Sequence, residues 1–204
     1  MNGNNVIELN QELTQLTLES ITKIAILGAE STGKTTLCRD LAAHFDSLWV
    51  AEYMRTYLQK KWDETQLACT WEDLLPIAQG QIELENSLAL QAQQRVQSKT
   101  DTPIYLFCDT SLFELMVYSH WYYDDCPPAL TTAALSHDYD LVLLTEDDIP
   151  WVADDLRDSP YQRHEISAYF ESQLNTHNKA YRRIGGSRKE RVVQVADWIS
   201  SLKH

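Results

Sequence analysis

The sequence lacks an apolar run long enough to cross a membrane, and no amino-terminal stretch resembles a signal peptide. A membrane-spanning helix needs about 18 or more consecutive apolar residues. Residues 1–5 are polar and uncharged, and no apolar segment of the kind found in signal peptides follows them. We therefore expect a cytoplasmic protein that makes no contact with a membrane.

Basic residues are scarce. The 204 residues include 17 Lys and Arg against 30 Asp and Glu, which gives a formal net charge of −13. Such a surface repels the phosphates of nucleic acids at long range, so nucleic acid is not expected as a partner. ATP remains possible as a ligand, because its attraction is local to a loop, a lysine and a metal ion.

Cysteines are few and carry no metal-binding or redox pattern. The four cysteines have no C-x-x-C spacing, and the six histidines show no spacing typical of a metal site. We expect reduced thiols and histidines with surface or structural roles. The sequence gives no indication of an oligomeric state.

Glycine is also rare, with six residues, and two of them fall in GAESTGKTT at residues 28–36. This stretch fits the phosphate-binding pattern G-x-x-x-x-G-K-[ST], between an apolar run and a helix-compatible segment. Glycines let successive backbone N–H groups point at a polyphosphate, and the start of a helix adds positive potential. We predict an ATP site in which Lys34 reaches the β- and γ-phosphates and Thr35 holds Mg²⁺. The predicted nucleotide-binding residues of this P-loop are Gly28, Glu30, Ser31, Thr32, Gly33, Lys34, Thr35 and Thr36.

Apolar runs and helical patterns alternate along the chain. Strands are predicted at residues 22–27, 48–51, 104–108, 141–144 and 181–184. Helices are predicted at residues 37–44, 53–62, 71–97, 112–123, 129–135, 163–175 and 188–202. This order predicts a parallel sheet with helices on both faces and a ligand at the carboxyl ends of the strands. Residues 21–204 are expected to form one domain, after a flexible or loosely docked lead-in at residues 1–20.

Acidic residues follow the second and third predicted strands. Asp109 could hold Mg²⁺ beside the P-loop, or it could be an ordinary turn residue. Glu52 could orient or deprotonate an acceptor hydroxyl, or it could interact with the dipole of the next helix. Arg55 and Tyr57 could contact the substrate, although a surface arginine and a core tyrosine are ordinary outcomes. We favour the metal role for Asp109 and the catalytic role for Glu52.

Residues 150–157 follow the fourth strand, a position at which many nucleotide kinases have a mobile lid. Arg157 could stabilise the transferring phosphoryl group, and Arg163 is a weaker candidate for the same role. Trp151 could stack on a flat ring, or it could anchor the loop as a buried indole. Gly186, after the fifth strand, could contact adenine through its backbone, or it could belong to an ordinary turn between a strand and a helix.

Together these residues resemble the ribosylnicotinamide kinase domain of the NadR family over residues 22–200. The resemblance depends on GAESTGKTTL at 28–37, AEYMRTYL at 51–58, the pair Asp109 and Thr110, and IPWVADDLR at 149–157. It implies a three-layer P-loop fold with strand order 2-3-1-4-5, a helical lid, and ATP as the phosphoryl donor. It also implies that Glu52 and Arg55 lie on the substrate side, that Trp151 and Asp154 lie near nicotinamide riboside, and that Arg157 belongs to the lid.

Two departures from the family pattern narrow the expected activity. The adenylyltransferase domain and the DNA-binding domain of some family members have no counterpart in this sequence. We expect an ATP- and Mg²⁺-dependent kinase that converts nicotinamide riboside to nicotinamide mononucleotide, with Lys34, Glu52, Asp109 and Arg157 as catalytic residues. The alternatives are a kinase of another nucleoside or small alcohol, and a P-loop NTPase that acts as a nucleotide-dependent switch.

Overall fold

The computed structural model describes residues 13–96, 103–152 and 161–202. Its centre is a five-stranded sheet in the order β2-β3-β1-β4-β5, and every neighbouring pair is parallel. The strands are β1 (Ile21–Leu27), β2 (Leu48–Val50), β3 (Ile104–Asp109), β4 (Leu141–Thr145) and β5 (Arg182–Ile184). The predicted topology is therefore confirmed.

Helices connect the strands and cover both faces of the sheet. They are α1 (Lys34–His44), α2 (Tyr53–Thr65), α3 (Leu74–Val96), α4 (Leu112–Tyr123), α5 (Pro128–Ser136), α6 (Arg163–Thr176) and α7 (Arg188–Ser201). A short 3₁₀ turn at Trp71–Asp73, closed by a Thr70 and Asp73 capping box, precedes α3. The prediction of one continuous helix from residue 71 missed this tighter first turn.

Alternating side chains of β1 separate two cores. Ile24 and Ile26 pack with α1 and α7 on one face, whereas Ala25 and Leu27 pack with α3 to α6 on the other. Successive residues of a strand point to opposite faces, so a strand buried on both sides is apolar throughout. Three layers result, as the sequence predicts. In the described part of the chain no helix is long and apolar enough to span a membrane.

Helix α2 lies against α3 at a point where α3 has no side chain. A Cβ atom added to Gly80 would lie 2.0 Å from Cε1 of Tyr53, the first residue of α2. Tyr53 N also donates to Oε1 of Gln81 at 2.8 Å. The absence of a side chain at Gly80 thus allows α2 to dock against α3. The contact holds Tyr53, the residue that follows Glu52, against α3.

The described part of the lead-in is docked along α3. Leu13 is buried, Leu16 N donates to Asn86 Oδ1 at 2.8 Å, and the Leu16 carbonyl accepts from Lys23 Nζ at 2.6 Å. Lys23 also pairs with Glu85 at 2.8 Å, and both side chains are buried. The ammonium group of this buried ion pair thus holds the lead-in through its hydrogen bond to Leu16. Residues 1–12 lie outside the described residues.

Candidate active site

The P-loop follows β1 at the carboxyl edge of the sheet and leads directly into α1. Gly28 has φ of 143° and Gly33 has φ of 87°, values that residues with a side chain rarely adopt. A Cβ atom on Gly28 would lie 2.3 Å from Oγ1 of Thr145 at the end of β4. Conformation and space both require glycine at the first position of the loop.

Lys34, the first residue of α1, is folded against the P-loop itself. Its Nζ donates to the carbonyl of Gly28 at 2.7 Å and to that of Ala29 at 3.1 Å. The same atom lies 3.2 Å from Oε1 of Glu114. The lysine that the sequence assigns to the phosphates therefore stands at the loop, beside an acid that the sequence analysis did not single out.

Glu114 joins α4 to the P-loop. Its Oε1 contacts Lys34, and its Oε2 accepts a hydrogen bond from Gly28 N at 3.1 Å. It is the only acidic residue of α4 and it is buried. The sequence offers one sign that Glu114 has a special role: it is an acid within a mostly apolar helix, five positions after Asp109. Only the fold shows that its side chain faces the P-loop.

Asp109 and Thr35 meet at the edge of the sheet next to the P-loop. Strand β3 lies beside β1 with Asp109 opposite Ile26, and Oγ1 of Thr35 donates to Oδ2 of Asp109 at 2.5 Å. Thr110, which follows, has a positive φ of 77° and donates its N–H to the Ile26 carbonyl at 3.1 Å. The structure thus brings together the two residues that the sequence assigns to Mg²⁺.

The pair suits a magnesium ion. Oδ1 of Asp109 is buried and has no hydrogen-bond partner within the described part of the chain. Mg²⁺ is commonly held by one or two protein oxygens together with substrate phosphates and water. Among residues 13–96, 103–152 and 161–202, no group of three or more His, Cys, Asp or Glu side chains could hold a metal by itself.

Burial and neighbouring charges shift the pKa values of the central groups. Burial raises the pKa of Asp109 to about 6, and the charge of Glu52 adds to this while that of Lys34 opposes it. Burial likewise raises the pKa of Glu114 to about 7, against the opposing effect of Lys34. Burial alone would lower the pKa of Lys34, but the carboxylates of Glu114, Glu52 and Asp109 outweigh it and raise that pKa.

Glu52 and Arg55 stand across from these groups at the start of α2. Glu52 follows β2, which pairs with β3, so it lies one strand beyond Asp109. Arg55 Nε is 3.8 Å from Glu52 Oε2, and both side chains border the same cavity as the P-loop. Both residues thus share a cavity with the P-loop.

A single cavity of about 500 Å³ joins the P-loop to the space between α2 and α4. Residues 30–36 line part of the cavity, and α4 contributes an aromatic wall to it. In that wall the rings of Tyr118 and Tyr122 are stacked, with centroids 6.1 Å apart and planes 14° apart. Three acids and two bases line the cavity, which leaves it net negative: Glu30, Glu52 and Glu114 against Lys34 and Arg55.

Other predicted site residues lie outside the lining of this cavity. Tyr57 packs against the core and donates to Asp73 at 3.0 Å. Trp151 lies near the P-loop with the guanidinium of Arg163 5.9 Å from its ring centre, and Arg163 donates to the Ser31 carbonyl at 3.3 Å. Asp154 and Arg157, with the predicted helical lid, lie outside the described residues. The substrate and lid roles of these residues stay predictions.

Arg191 ties the P-loop to the loops after β4 and β5. This buried residue of α7 donates to the carbonyl of Thr32 at 2.7 Å and to that of Gly186 at 3.0 Å, and it pairs with Asp148. Gly186 N also donates to Asp148, so both backbone polar groups of this glycine have partners. The sequence analysis missed Arg191, although it occupies the buried stripe of α7 four residues before Val195.

Comparisons with known proteins agree with this architecture. The model of the AAA domain family matches residues 23–191. The trifunctional NAD biosynthesis/regulator protein NadR of Escherichia coli K12 is 29% identical over 163 residues, which cover 79% of this chain and 37% of that protein. NadR of Salmonella typhimurium is 31% identical over 134 residues, which cover 66% of this chain and 30% of that protein. The chain thus spans about a third of the length of these relatives.

Solved structures share the fold at lower identity. A crystal structure of NadR protein in complex with NR has a TM-score of 0.64 at 19% identity, covering 89% of this chain and 52% of that one. Deoxyadenosine kinase from M. mycoides has a TM-score of 0.56 at 12% identity, covering 88% of this chain and 100% of that one. These structural matches show a shared fold, and the sequence relatives confirm the resemblance to NadR proteins.

Proposed function

We propose that this chain, which belongs to the AAA domain family, is a kinase that transfers the γ-phosphoryl group of ATP to the 5′-hydroxyl of nicotinamide riboside. The product would be nicotinamide mononucleotide, a step of NAD biosynthesis. The names of the NadR relatives and the NR bound in one NadR structure support this choice of acceptor.

One observation carries the proposal: the P-loop and a space lined by aromatic side chains and by Glu52 share one cavity. A nucleoside in that space would have its hydroxyl close to a triphosphate held by the loop, and proximity of this kind is a large part of phosphoryl-transfer catalysis. A nicotinamide ring that carries positive charge would be attracted by the acids and by aromatic faces such as that of Tyr122. A hydrolytic switch would not need an acceptor space of this kind.

The residues of the site have distinct roles in this proposal. The P-loop amides and Lys34 bind the polyphosphate, and Glu52 orients the attacking hydroxyl and accepts its proton. Thr35 and Asp109 would hold Mg²⁺, which when bound neutralises charge on the phosphates. Arg55 is placed to offset the charge of Glu52 and of the transferring group. Arg157 is assigned to the lid from the sequence.

A substrate panel tests the proposal directly. Purified protein with Mg²⁺ and ATP is incubated with nicotinamide riboside, adenosine, deoxyadenosine or thymidine, and each mononucleotide is quantified by mass spectrometry together with ADP. We expect nicotinamide mononucleotide and ADP in equal amounts, and no product in the presence of EDTA. Lys34→Ala should abolish most of the turnover and leave the circular dichroism spectrum unchanged.

Two results would reject the proposal. Phosphorylation of another nucleoside while nicotinamide riboside is untouched would assign a different acceptor. Release of phosphate from ATP with no phosphorylated nucleoside would favour a nucleotide-dependent switch.

A further inference from the structure

The ammonium group of Lys34 has all of its hydrogen-bonding capacity in use within the protein. A lysine offers three N–H donors. Two point at the carbonyls of Gly28 and Ala29, and the third side of the group faces Glu114 at 3.2 Å. A phosphate oxygen can therefore reach this ammonium group only by replacing one of the three partners.

Glu114 is the partner whose replacement matters most. The two carbonyls are neutral, whereas the carboxylate carries a charge of the same sign as the triphosphate. Its other oxygen accepts the N–H of Gly28, at the first position of the P-loop. One side chain of α4 thus holds both the lysine and a backbone donor of the loop that would receive the phosphates.

The surroundings of Glu114 strengthen this competition. Its side chain is 3% exposed and that of Lys34 is 10% exposed, so water screens their interaction poorly. The nearby carboxylates of Glu52 and Asp109 have the same sign as Glu114 and act on it electrostatically. Lys34 is therefore the cation in direct contact with Glu114, whereas Arg55 lies beside Glu52.

We propose that Glu114 is a positioning residue that holds Lys34 at the P-loop and competes with the triphosphate for its ammonium group. This inference rests on the proposed function, because it takes ATP as the ligand of the P-loop. Nucleotide binding is then an exchange of one anion for another at Lys34. The exchange keeps the affinity moderate and lets ADP leave once the γ-phosphoryl group has been transferred.

The test is a variant that removes the charge and keeps the shape. In Glu114→Gln the side-chain oxygen can still accept from Gly28 N, but the carboxylate that competes with the triphosphate for Lys34 is gone. Isothermal titration with Mg²⁺ and ATP at pH 8, where the natural carboxylate is ionised, should show a Kd at least about fivefold lower than that of the natural protein, the lower end of ordinary coupling between sites. The KM for ATP should fall with it, while kcat does not rise, since ADP leaves more slowly.

Matched variants distinguish the loss of the negative charge at Glu114 from a general disruption of the fold. Glu114→Asp keeps the charge and should retain an affinity within about twofold of the natural protein, because the coupling is electrostatic. Glu83→Gln, which removes an exposed charge from α3, should leave the affinity unchanged. Thermal unfolding checks each fold; if Glu114→Gln is unfolded, Glu114→Met provides an uncharged side chain of similar size.

A gain of affinity is a result that a merely structural role does not produce. An unchanged or raised Kd for ATP in the folded, uncharged variants would overturn the inference and leave the proposed function standing. Failure of the natural protein to bind Mg²⁺ and ATP would overturn both.

Discussion

Replacing Gly80 by alanine tests how the acceptor side of the site is held in place. Alanine within a helix is ordinarily more stable than glycine by about 0.5–1 kcal/mol, since it restricts the unfolded chain. Here the new Cβ would lie 2.0 Å from Cε1 and 2.2 Å from Cζ of Tyr53. Carbon atoms in contact are about 3.5–4.0 Å apart, so the ring or the whole of α2 must withdraw by about 1.5 Å.

The cost should exceed the gain. Overpacking of this kind usually costs about 1–3 kcal/mol, so we expect Gly80→Ala to lower the free energy of unfolding by a net amount of about 1 kcal/mol. Glu52 immediately precedes Tyr53, and its displacement should lower kcat/KM for the nucleoside by about tenfold, as small misplacements of reacting groups do. The KM for ATP should stay the same, because the P-loop and Lys34 belong to other elements.

Urea denaturation and initial-rate kinetics measure these effects, and a double-mutant cycle shows their origin. In a Tyr53→Ala background the ring is gone, so Gly80→Ala should become stabilising by the ordinary helical preference. The reversal of sign is the decisive result. A Gly80→Ala protein that is more stable than the natural one, with unchanged kinetics, would refute the close contact between α2 and α3.

Three further predictions concern other parts of the molecule. Trp151→Ala should raise the KM for the nucleoside far more than that for ATP, whereas equal effects in steady-state kinetics would indicate a structural indole. Lys23→Met leaves the Glu85 carboxylate buried without its cation, so urea denaturation should show a loss of about 3–5 kcal/mol, and a loss below 1 kcal/mol would contradict the buried pair. The pKa of Glu114 rises from 4.5 to about 7 on folding, so the folded state binds more protons and stability falls as pH rises between these values. Relative to the natural protein, Glu114→Gln should therefore gain up to about 3 kcal/mol between pH 5 and pH 8, and a constant difference across that range would disprove the shift.

The strands, the helices and the P-loop could be predicted because their determinants are local. The apolar run of β1, the glycines of the loop and the helical pattern of α1 are contiguous in sequence, and the alternation of elements predicts the parallel sheet. The meeting of Thr35 with Asp109 also followed, since the carboxyl ends of neighbouring strands share one edge.

Residues whose role depends on tertiary contacts could not be found in this way. Glu114 lies on α4 and acts on a lysine 80 positions earlier in the chain, and no spacing rule connects the two. Arg191 reaches the P-loop from α7, and the amphipathic pattern of that helix shows only that its position is buried. Trp151 is assigned to the substrate from its place in the loop after β4 and from the family resemblance, and this assignment stays a prediction; the aromatic wall of the cavity, which the sequence did not reveal, comes from α4.

The contact between Arg191 and Thr32 has a consequence for the order in which the protein is made. Thr32 is translated early, but the guanidinium that binds its carbonyl belongs to a residue 159 positions later. A ribosome adds residues from the amino terminus at about 5–20 per second. The nascent chain therefore displays its phosphate-binding sequence without the arginine that braces it until a further 159 residues have been added, and a nucleotide can add its binding energy to the folding of the braced loop only from that point.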